Sequence, residues 1–420
     1  MVRRGGRLIY SSAYLCGLLT YRQQLWTRFR AYAPARWAWR AVRLLVLVAL
    51  FANVLANDKP LYCVLDGTTY FPAFRQYPVD LGVADYPAGL ALADWPTLPY
   101  ERVVRAPVPY GPLQLDLSNA DYVSPFATQR VAGWRYRHWL GTDVLGRDVL
   151  SGLIYGTRTA LLVGLGSMAL AALIGLVLGI VAGYFGDRHL RVAWALLPVG
   201  VIGMFLAWFY GWYLPQGLLC SLLLTAGLSG LVFFGLRQLH RLPLGPRFYL
   251  PLDALVLRLV EVLTAIPTLL LLLTLIAILE RTGTAQVVLI IGLLGWTSLA
   301  RYLRAELLRI RALPYLEATR ALGFSHRRIL WQHALPNAVT PLVITLAFGI
   351  AGAILIESSL SFLGLGIVDT VTWGGLLGAA RQYFGAWWLA VFPGTAIFVT
   401  VVAFNLIGEG LTRALDPSFG

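Results

Sequence analysis

Lysine is almost missing from this chain of 420 residues, because 33 of its 34 basic residues are arginine and only Lys59 is lysine. A Walker A loop needs a Gly-Lys-Ser/Thr run to hold phosphates, and a Schiff base needs a lysine amine. The sequence therefore excludes a phosphate-binding loop of that type. It also excludes Schiff-base chemistry anywhere but at Lys59.

Residues that build catalytic or metal centres are scarce as well. Cys16, Cys63 and Cys220 lie far apart in the chain and give neither a disulfide framework nor metal-ligand spacing. The five histidines are dispersed, so the sequence predicts no metal cluster and no catalytic triad. A membrane-bound enzyme is therefore a disfavoured class.

Charged residues make up only 13% of the chain, whereas hydrophobic residues make up 58%. A soluble protein normally carries about 25% charged residues. The net charge of +14 could suggest nucleic acid as a partner, but the arginines lie at the ends of apolar runs rather than on one domain. That placement is typical of a membrane protein, where basic residues fix the orientation. We therefore expect a lipid bilayer around the chain and no nucleic-acid partner.

Long apolar runs predict several transmembrane helices, because a bilayer core of about 30 Å needs roughly 20 apolar residues of helix. Eight segments meet this requirement: 38–56, 160–183, 192–214, 217–236, 254–279, 285–303, 338–362 and 388–408. The apolar run 8–20 is shorter, and we interpret it as an interfacial helix within a cytoplasmic N-terminal segment, 1–37. The sequence therefore predicts an all-α, polytopic bundle of transmembrane helices.

The distribution of arginine predicts the orientation of the chain. Residues 1–43 hold nine arginines and no acid, and the loops 184–191, 237–251 and 301–330 are also arginine-rich. With eight spans, all these segments fall on one side, which the positive-inside rule makes the cytoplasm. We therefore expect a multi-pass protein of the bacterial inner membrane with both termini in the cytoplasm. The long segment 57–150 then lies outside, as a small ordered cap.

The polar loop between the sixth and seventh apolar runs carries helix-boundary signals. Pro314 suits a first helical position, and Glu317 follows in the first turn, where the helix dipole favours an anion. Gly323 can end that helix, and Ser325 can cap a second helix that runs to Pro336. Two short helices at an angle form a knob that a partner groove could hold. The alternative is an ordinary charged connector.

Other polar residues mark the outer side of the predicted bundle. Asp143, Arg147 and Asp148 are close enough in sequence to form a charge network on an interfacial turn, either as a structural clip or in contact with a substrate. Glu357 is a lone acid far along its span, with Ser358 and Ser361 beside it. This acid could line a substrate pathway or close an outer gate.

Within the apolar runs, Arg258 and Glu261 lie one helical turn apart, and we predict a structural ion pair. Gly179 and Gly183 lie four residues apart on one helix face, a spacing that lets another helix approach closely. The segment 192–236 is almost free of charge and apolar all round. It predicts a peripheral transmembrane hairpin in contact with lipid.

Several of these motifs resemble one protein family. Glu317-Ala318, Gly323 and Leu335-Pro336 resemble the EAA loop of ABC-importer permeases, with Thr319 in place of the usual alanine. The runs 141–151, 357–366 and 404–417 resemble, in the same order, motifs of the dipeptide/oligopeptide permease C-subunit family. In the outer segment, the runs 57–60, 66–67, 70–72 and 77–78 are similar to the Yej-type branch, which handles oligopeptides and peptide antibiotics.

The resemblance implies a six-helix permease core within 151–420, to which the hairpin 192–236 is added, and a cytoplasmic coupling loop, 304–336. It implies a subunit of an ATP-driven importer for oligopeptides or peptide-like compounds, working by alternating access. The implied partners are a second, B-type permease, two ATPase subunits, an extracytoplasmic peptide-binding protein and the peptide. ATP and Mg²⁺ would bind the ATPases, and this chain would hold no cofactor or metal.

The resemblance also assigns the coupling role to eight residues: Glu317, Ala318, Thr319, Gly323, Arg327, Arg328, Leu335 and Pro336. Two other functions stay open from the sequence. The first is a secondary, ion-coupled transporter, for which Glu357 is the one candidate acid in a span. The second is an ABC permease for a non-peptide substrate such as nickel or a glycoconjugate.

Overall fold

The computed structural model describes residues 23–80, 82–87, 89–90, 93–188, 191–193, 196–213, 218–239, 247–279 and 282–415. Most of these residues are helical, which confirms the predicted fold class. The chain divides into two compact units. The larger unit contains Met1–Gly175, Thr264–Leu299 and Pro336–Gly420, and the smaller unit contains Leu176–Leu263 and Ala300–Leu335.

The helices are named in chain order. They are α1 (23–31), α2 (Ala33–Leu50), α3 (Ala52–Leu55), α4 (Pro72–Asp80), α5 (Val149–Ile180), α6 (Leu196–Tyr213), α7 (Leu218–Leu239), α8 (Leu252–Ala265), α9 (Thr268–Ile278), α10 (Thr284–Arg311), α11 (Pro314–Ala321), α12 (His326–Ile329), α13 (Leu335–Val339), α14 (Leu342–Phe362), α15 (Trp373–Ala379) and α16 (Trp387–Leu415). A π-helical turn, Val181–Phe185, extends α5, and another, Leu330–Ala334, joins α12 to α13.

Among the described residues, four helices are long and apolar enough to cross a membrane: Val149–Phe185, Thr284–Arg311, Leu342–Phe362 and Trp387–Leu415. The pair α8 and α9 together would make a fifth span, but it bends by 84°. The bend follows from Pro267, which lies between the two helices and cannot donate a helical hydrogen bond.

Five of the eight expected spans are thus represented at most in this count, which covers only the described residues, so the number of eight stays a prediction. The helix α2, within the expected span 38–56, is outside the count because it carries Arg36, Arg40 and Arg43, and its continuation α3 ends at Leu55. The two arms of the expected hairpin contain apolar helices of 10–17 residues, Pro198–Gly211 and Leu223–Gly235. These stretches are parts of α6 and α7, which have 18 and 22 residues, close to the roughly 20 residues that a bilayer core requires.

The core of the larger unit lies where α14 and α16 pack together and where α2 packs on α16. Glycines let the helices come close in this core. Gly408 of α16 faces the ring of Phe348, and a Cβ atom at Gly410 would lie 2.5 Å from the Ala35 Cβ atom. Elsewhere in the same unit, the Trp373 indole N–H donates to the Leu153 carbonyl oxygen over 3.0 Å.

In the smaller unit, the end of α5 lies directly against α10. A Cβ atom at Gly179 would lie 2.9 Å from the Leu303 Cβ atom, and one at Gly183 would lie 2.9 Å from the Arg304 Cα atom. The close approach predicted from the spacing of these glycines is present. The same region positions α8, because both guanidinium arms of Arg304 bind the carboxylate of Asp253 in its first turn.

Two small antiparallel sheets accompany the helices. The first has the order β2 (Thr68–Tyr70), β1 (Tyr62–Leu65) and β3 (Arg102–Val104), and it packs around Trp95, which is 3% exposed. The described part of the 57–150 segment is therefore ordered, as the expected cap would be, whereas the sequence pattern does not specify these strands. The second sheet pairs β4 (Arg191–Ala193) with β5 (Arg247–Tyr249) and joins the two ends of the segment that contains α6 and α7.

Three residues, Asp116, His138 and Asp148, connect the 57–150 segment to the start of α5, and we call them the histidine clasp. Nδ1 of His138 lies 2.8 Å from Oδ2 of Asp148, and Nε2 lies 3.2 Å from Oδ2 of Asp116. The His138 side chain is fully buried and stacks on the ring of Tyr110. Because both ring nitrogens face carboxylates, the arrangement fits the doubly protonated imidazolium.

The clasp also caps the helix that it holds. The other carboxylate oxygen of Asp148 accepts a hydrogen bond from the backbone N–H of Ser151 over 2.7 Å, which satisfies a free donor in the first turn of α5. Burial by itself lowers the pKa of His138, but hydrogen bonds and charge attraction from Asp148, and then from Asp116, outweigh it, so the pKa lies above its ordinary value. Burial raises the pKa of Asp116, but hydrogen bonds from Ser118, Asn119 and His138 hold it below its usual range.

These shifts predict a pH window for the clasp. The stabilisation by His138 is complete below its unfolded pKa of about 6.5 and is lost as the pH rises through the raised folded value. The stabilisation by Asp116 is present above about pH 4 and is lost in more acidic solution. Protection of residues 108–148 from hydrogen exchange, corrected for intrinsic rates, should therefore fall as the pH rises above about 6.5.

The variant His138→Gln should lose this pH dependence, because glutamine does not titrate. It should also lower the opening free energy of the segment by about 1–3 kcal/mol, since one buried carboxylate loses its partner. His326→Gln changes a histidine of α12 and is the matched control, which should leave residues 108–148 unchanged. If residues 108–148 are as well protected from hydrogen exchange in His138→Gln as in the wild type, the clasp does not hold this segment.

Candidate functional site

The residues predicted to couple the chain to an ATPase lie on a pair of short helices that follows α10. The first, α11, begins with Pro314 at its first position and has Glu317 in its first turn, as the sequence predicts. Leu316 is fully buried beneath the helix. Glu317 and Ala318 are exposed, whereas Thr319 is half-buried and its hydroxyl donates to the Leu316 carbonyl oxygen over 2.8 Å.

Gly323 ends α11 in the way that its sequence position suggests. Its φ is +74°, in the left-handed region that glycine adopts without strain. The N–H of Gly323 donates to the Arg320 carbonyl oxygen over 2.9 Å, and the N–H of Phe324 donates to the Thr319 carbonyl oxygen over 3.2 Å. These two bonds form a Schellman motif, which closes the helix end and fixes the direction of the next helix.

The second helix of the pair differs from the prediction in two respects. Ser325 occupies the N-cap position with an extended backbone, but its side chain makes no capping hydrogen bond in the described structure. The helix also does not stop at Pro336, because the π-helical turn Leu330–Ala334 carries it into α13, which ends at Val339. The wider π turn explains why a proline without an N–H is tolerated there. Leu335 is buried and Pro336 is exposed.

The helix pair exposes large apolar side chains that the motif analysis did not single out. Leu322 is 72% exposed, Trp331 is 57% exposed and Tyr315 is 40% exposed. The signal in the sequence was available, because leucine and tryptophan are unusual in so arginine-rich a loop. Exposed apolar residues surrounded by charge are typical of a surface that binds another protein.

The arginines of this surface are held in different ways. The guanidinium of Arg328 lies 4.1 Å from the centroid of the Phe324 ring, and its Nε donates to Gln332 over 3.1 Å. The Phe324 ring also stacks on His333, with 6.0 Å between the ring centroids. Arg327 is exposed on the first turn of α12. The structure therefore adds Phe324 as the residue that positions one of the two predicted arginines.

Buried contacts inside the smaller unit anchor the helix pair. Ile329 is 1% exposed, and the hydroxyl of Tyr184 in the π turn after α5 donates to the His326 carbonyl oxygen over 3.1 Å. Arg311 at the end of α10 donates to the Gly183 carbonyl oxygen over 3.1 Å. The helix pair is thus fixed to the ends of α5 and α10.

Glu357 lies inside the chain rather than on a surface. It is 1% exposed, and one carboxylate oxygen accepts from the Ser361 hydroxyl over 2.7 Å, whereas the other lies 3.4 Å from the Ser358 hydroxyl. Gly374 of α15 packs directly on the Ser358 backbone and covers this position. The enclosed carboxylate favours a role in holding α14 and α15 together over direct contact with a substrate.

The Asp143, Arg147 and Asp148 side chains form the charge network that the sequence predicts. Asp143 is 1% exposed, accepts from the backbone N–H groups of Leu145 and Arg147, and binds Nε of Arg147 over 2.6 Å. Asp148 belongs to the histidine clasp. Because both carboxylates are used within the chain, the geometry favours a structural clip over a substrate contact.

Arg258 and Glu261 also form the predicted pair, with 2.6 Å between Nη1 and Oε2. Their side chains are 81% and 59% exposed on α8, beside the exposed Leu255, Leu259 and Val262. An exposed ion pair contributes only about 0–1 kcal/mol. The pair therefore adds little to the fold of this chain by itself.

Comparison with known proteins places this arrangement in a family. Residues 246–420 match the model of the "Binding-protein-dependent transport system inner membrane component" family. The chain is 32% identical to the glutathione transport system permease protein GsiD of Pectobacterium atrosepticum, over 67% of this chain and 72% of that protein. It is 31% identical to the di/tripeptide transport system permease protein DppC of Pseudomonas aeruginosa, over 68% and 74%.

A further relative covers almost the whole length. The inner membrane ABC transporter permease protein YejE of Escherichia coli is 28% identical over 404 residues, which span 94% of this chain and 97% of YejE. An alignment of that length reaches into both the 57–150 segment and the 192–236 hairpin. From the family model and these relatives together, the chain belongs to the family of binding-protein-dependent transport system inner membrane components.

Proposed function

We propose that this chain is one of two permease subunits of an ATP-driven importer for oligopeptides or peptide-like compounds. The observation that carries the proposal is the exposed helix pair α11–α12, which has the residues of an ATPase-coupling loop and an apolar, arginine-rimmed surface. The substrate class rests on the relatives, whose names specify glutathione, dipeptides and di/tripeptides. The partners in this proposal are a second permease, two ATPase subunits and an extracytoplasmic peptide-binding protein.

The helix pair is connected to α10 in a way that would transmit a displacement. The two residues between α10 and α11, Ala312 and Leu313, donate backbone hydrogen bonds to Arg309 and Ile310 of α10, and Leu313 accepts one from Leu316 of α11. With so short and hydrogen-bonded a connection, a displacement of α11 moves α10 rather than bending a loop. Closure of the ATPases around ATP would in this way tilt a membrane helix and open the pathway outward.

The proposal includes the orientation of the chain. The helix pair and the arginine-rich N-terminal segment lie in the cytoplasm, and the 57–150 segment lies outside, where it meets the peptide-binding protein. ATP and Mg²⁺ bind the partner ATPases, since this chain has no Gly-Lys-Ser/Thr run. The hairpin that contains α6 and α7 lies at the periphery in contact with lipid.

The end of α11 provides the first test. Gly323 has open space around it, so a new side chain there would meet no neighbour, and only the left-handed backbone is unfavourable. In Gly323→Val, the left-handed backbone of the Schellman motif should be destabilised by about 1–2 kcal/mol. The chain would then leave α11 in another direction, and α12 would be displaced. Uptake of a labelled tripeptide by cells carrying the complete importer should fall severalfold while the chain remains inserted.

Gly323→Asn is the matched control, because asparagine adopts the left-handed region more readily than valine. It should keep most of the uptake. If the valine and asparagine variants take up the tripeptide equally well, the Schellman motif at Gly323 has no role in coupling.

The exposed apolar residues give the second test. Leu322→Asp and Trp331→Asp should each weaken binding of the ATPase subunits, because each places a charge in a surface that becomes buried. A loss of about 2 kcal/mol per residue corresponds to roughly 30-fold weaker binding. The dissociation constant of the purified ATPases for the permease pair in nanodiscs measures this effect.

Phe384→Asp serves as the control, since Phe384 is 91% exposed but lies in the connection between α15 and α16. It should leave the dissociation constant unchanged. If the Leu322 and Trp331 variants bind the ATPases as tightly as the wild type does, α11 and α12 are not the docking surface.

A further inference from the structure

The N-terminal helices α1 and α2 present a charged surface whose positive charge is not balanced by acids. The arginines Arg28, Arg30, Arg36, Arg40 and Arg43 are all exposed. No acidic residue occurs before Asp58 in the chain. None of the salt bridges among the described residues involves these five arginines. An anionic partner outside the chain would satisfy them.

An acid on α16, the helix that packs against α2, is already engaged. Glu409 of α16 accepts from the hydroxyl of Tyr32 over 2.9 Å and binds Arg413 over 2.8 Å. It therefore does not neutralise the arginines of α1 and α2. The guanidinium of Arg413 lies over the ring of Tyr32, which completes this separate contact.

Tryptophans are interleaved with the arginines. Trp37 is 68% exposed, Trp26 is 39% exposed and Trp39 is 37% exposed. The Arg30 guanidinium lies 4.7 Å from the Trp26 ring centroid, and the Arg40 guanidinium lies 5.0 Å from that of Trp37. Tryptophan is enriched at the level of lipid headgroups because its ring is apolar and its N–H is polar.

The surface continues directly into an apolar one on the same helix. Arg36, Arg40 and Arg43 follow a spacing of four and three residues along α2, and the exposed Leu44, Leu47 and Leu50 come next. A phospholipid leaflet matches this order, because its anionic phosphates lie directly beside its hydrocarbon chains. An acidic protein surface would satisfy the arginines, but it would leave the exposed leucines without an apolar partner.

We propose that α1 and the first half of α2 bind the headgroups of anionic phospholipids, with the arginines on the phosphates and the tryptophans at the headgroup level. Guanidinium groups suit this role because they form paired hydrogen bonds to phosphate oxygens. The stacked rings hold Arg30 and Arg40 in fixed positions, so less side-chain freedom is lost when the lipid binds. In the proposed orientation this is the cytoplasmic leaflet.

The test uses the full chain in phosphatidylcholine nanodiscs that contain a trace of spin-labelled lipid. The measured quantity is the association of spin-labelled phosphatidylglycerol relative to spin-labelled phosphatidylcholine. The wild type should prefer phosphatidylglycerol, and salt should weaken the preference by screening. The triple variant Arg36→Gln, Arg40→Gln, Arg43→Gln should bring the ratio close to one, with a loss of up to about fivefold per arginine.

The control variant removes the same charge elsewhere, by Arg102→Gln, Arg130→Gln and Arg135→Gln in the 57–150 segment, and it should keep the wild-type ratio. An unchanged ratio in the α2 triple variant would overturn the proposal. So would a triple variant that keeps the lipid preference but loses binding of an ATPase subunit, because the surface would then belong to an acidic protein. Because the replaced arginines are exposed, the variants should fold normally. A melting temperature equal to that of the wild type verifies this.

Discussion

The packing of this protein depends on how closely the helix backbones can approach one another. In a bilayer, apolar side chains gain little by leaving lipid for a neighbouring helix, so van der Waals contact between close backbones becomes important. Glycines supply that contact where α5 meets α10 at Gly179 and Gly183, where α15 meets α14 at Gly374, and where α16 meets α2 at Gly410. A side chain at any of these positions would separate the helices.

Close packing explains how a short helix pair can act on a membrane helix. The pair α11–α12 is closed by the Schellman bonds of Gly323, anchored by Leu316 and Ile329, and joined to α10 by two hydrogen-bonded residues. No long loop lies between the exposed surface of Leu322 and Trp331 and the end of α10. In the proposed mechanism, a protein bound to this surface would displace α10 itself, and the exposed apolar residues would add binding energy that salt does not screen.

Charged residues lie mainly outside the apolar spans, and they have different roles in two places. In the histidine clasp, buried opposite charges lie within hydrogen-bond distance, and they tie the 57–150 segment to the first turn of α5. On α1 and α2, the exposed arginines form no salt bridge among the described residues. The first arrangement stabilises the chain by itself, whereas the second, in our proposal, is satisfied by an anion from outside.

The sequence by itself determined the helical membrane class, the family and the local ends of α11. These features depend on composition and on short-range signals such as Pro314, Glu317 and the left-handed Gly323, which act within one turn of helix. The pairs Asp143–Arg147 and Arg258–Glu261 could also be predicted, because residues three or four apart share a helix or turn surface. The sequence did not show the 84° bend at Pro267, because hydropathy alone does not register a change of helix direction. Only the tertiary structure decided the burial of Glu357 under α15, the meeting of Asp116, His138 and Asp148, and the exposure of Leu322 and Trp331. Those features join or separate residues that are distant in the chain, and which side chains become buried depends on contacts that no local pattern specifies.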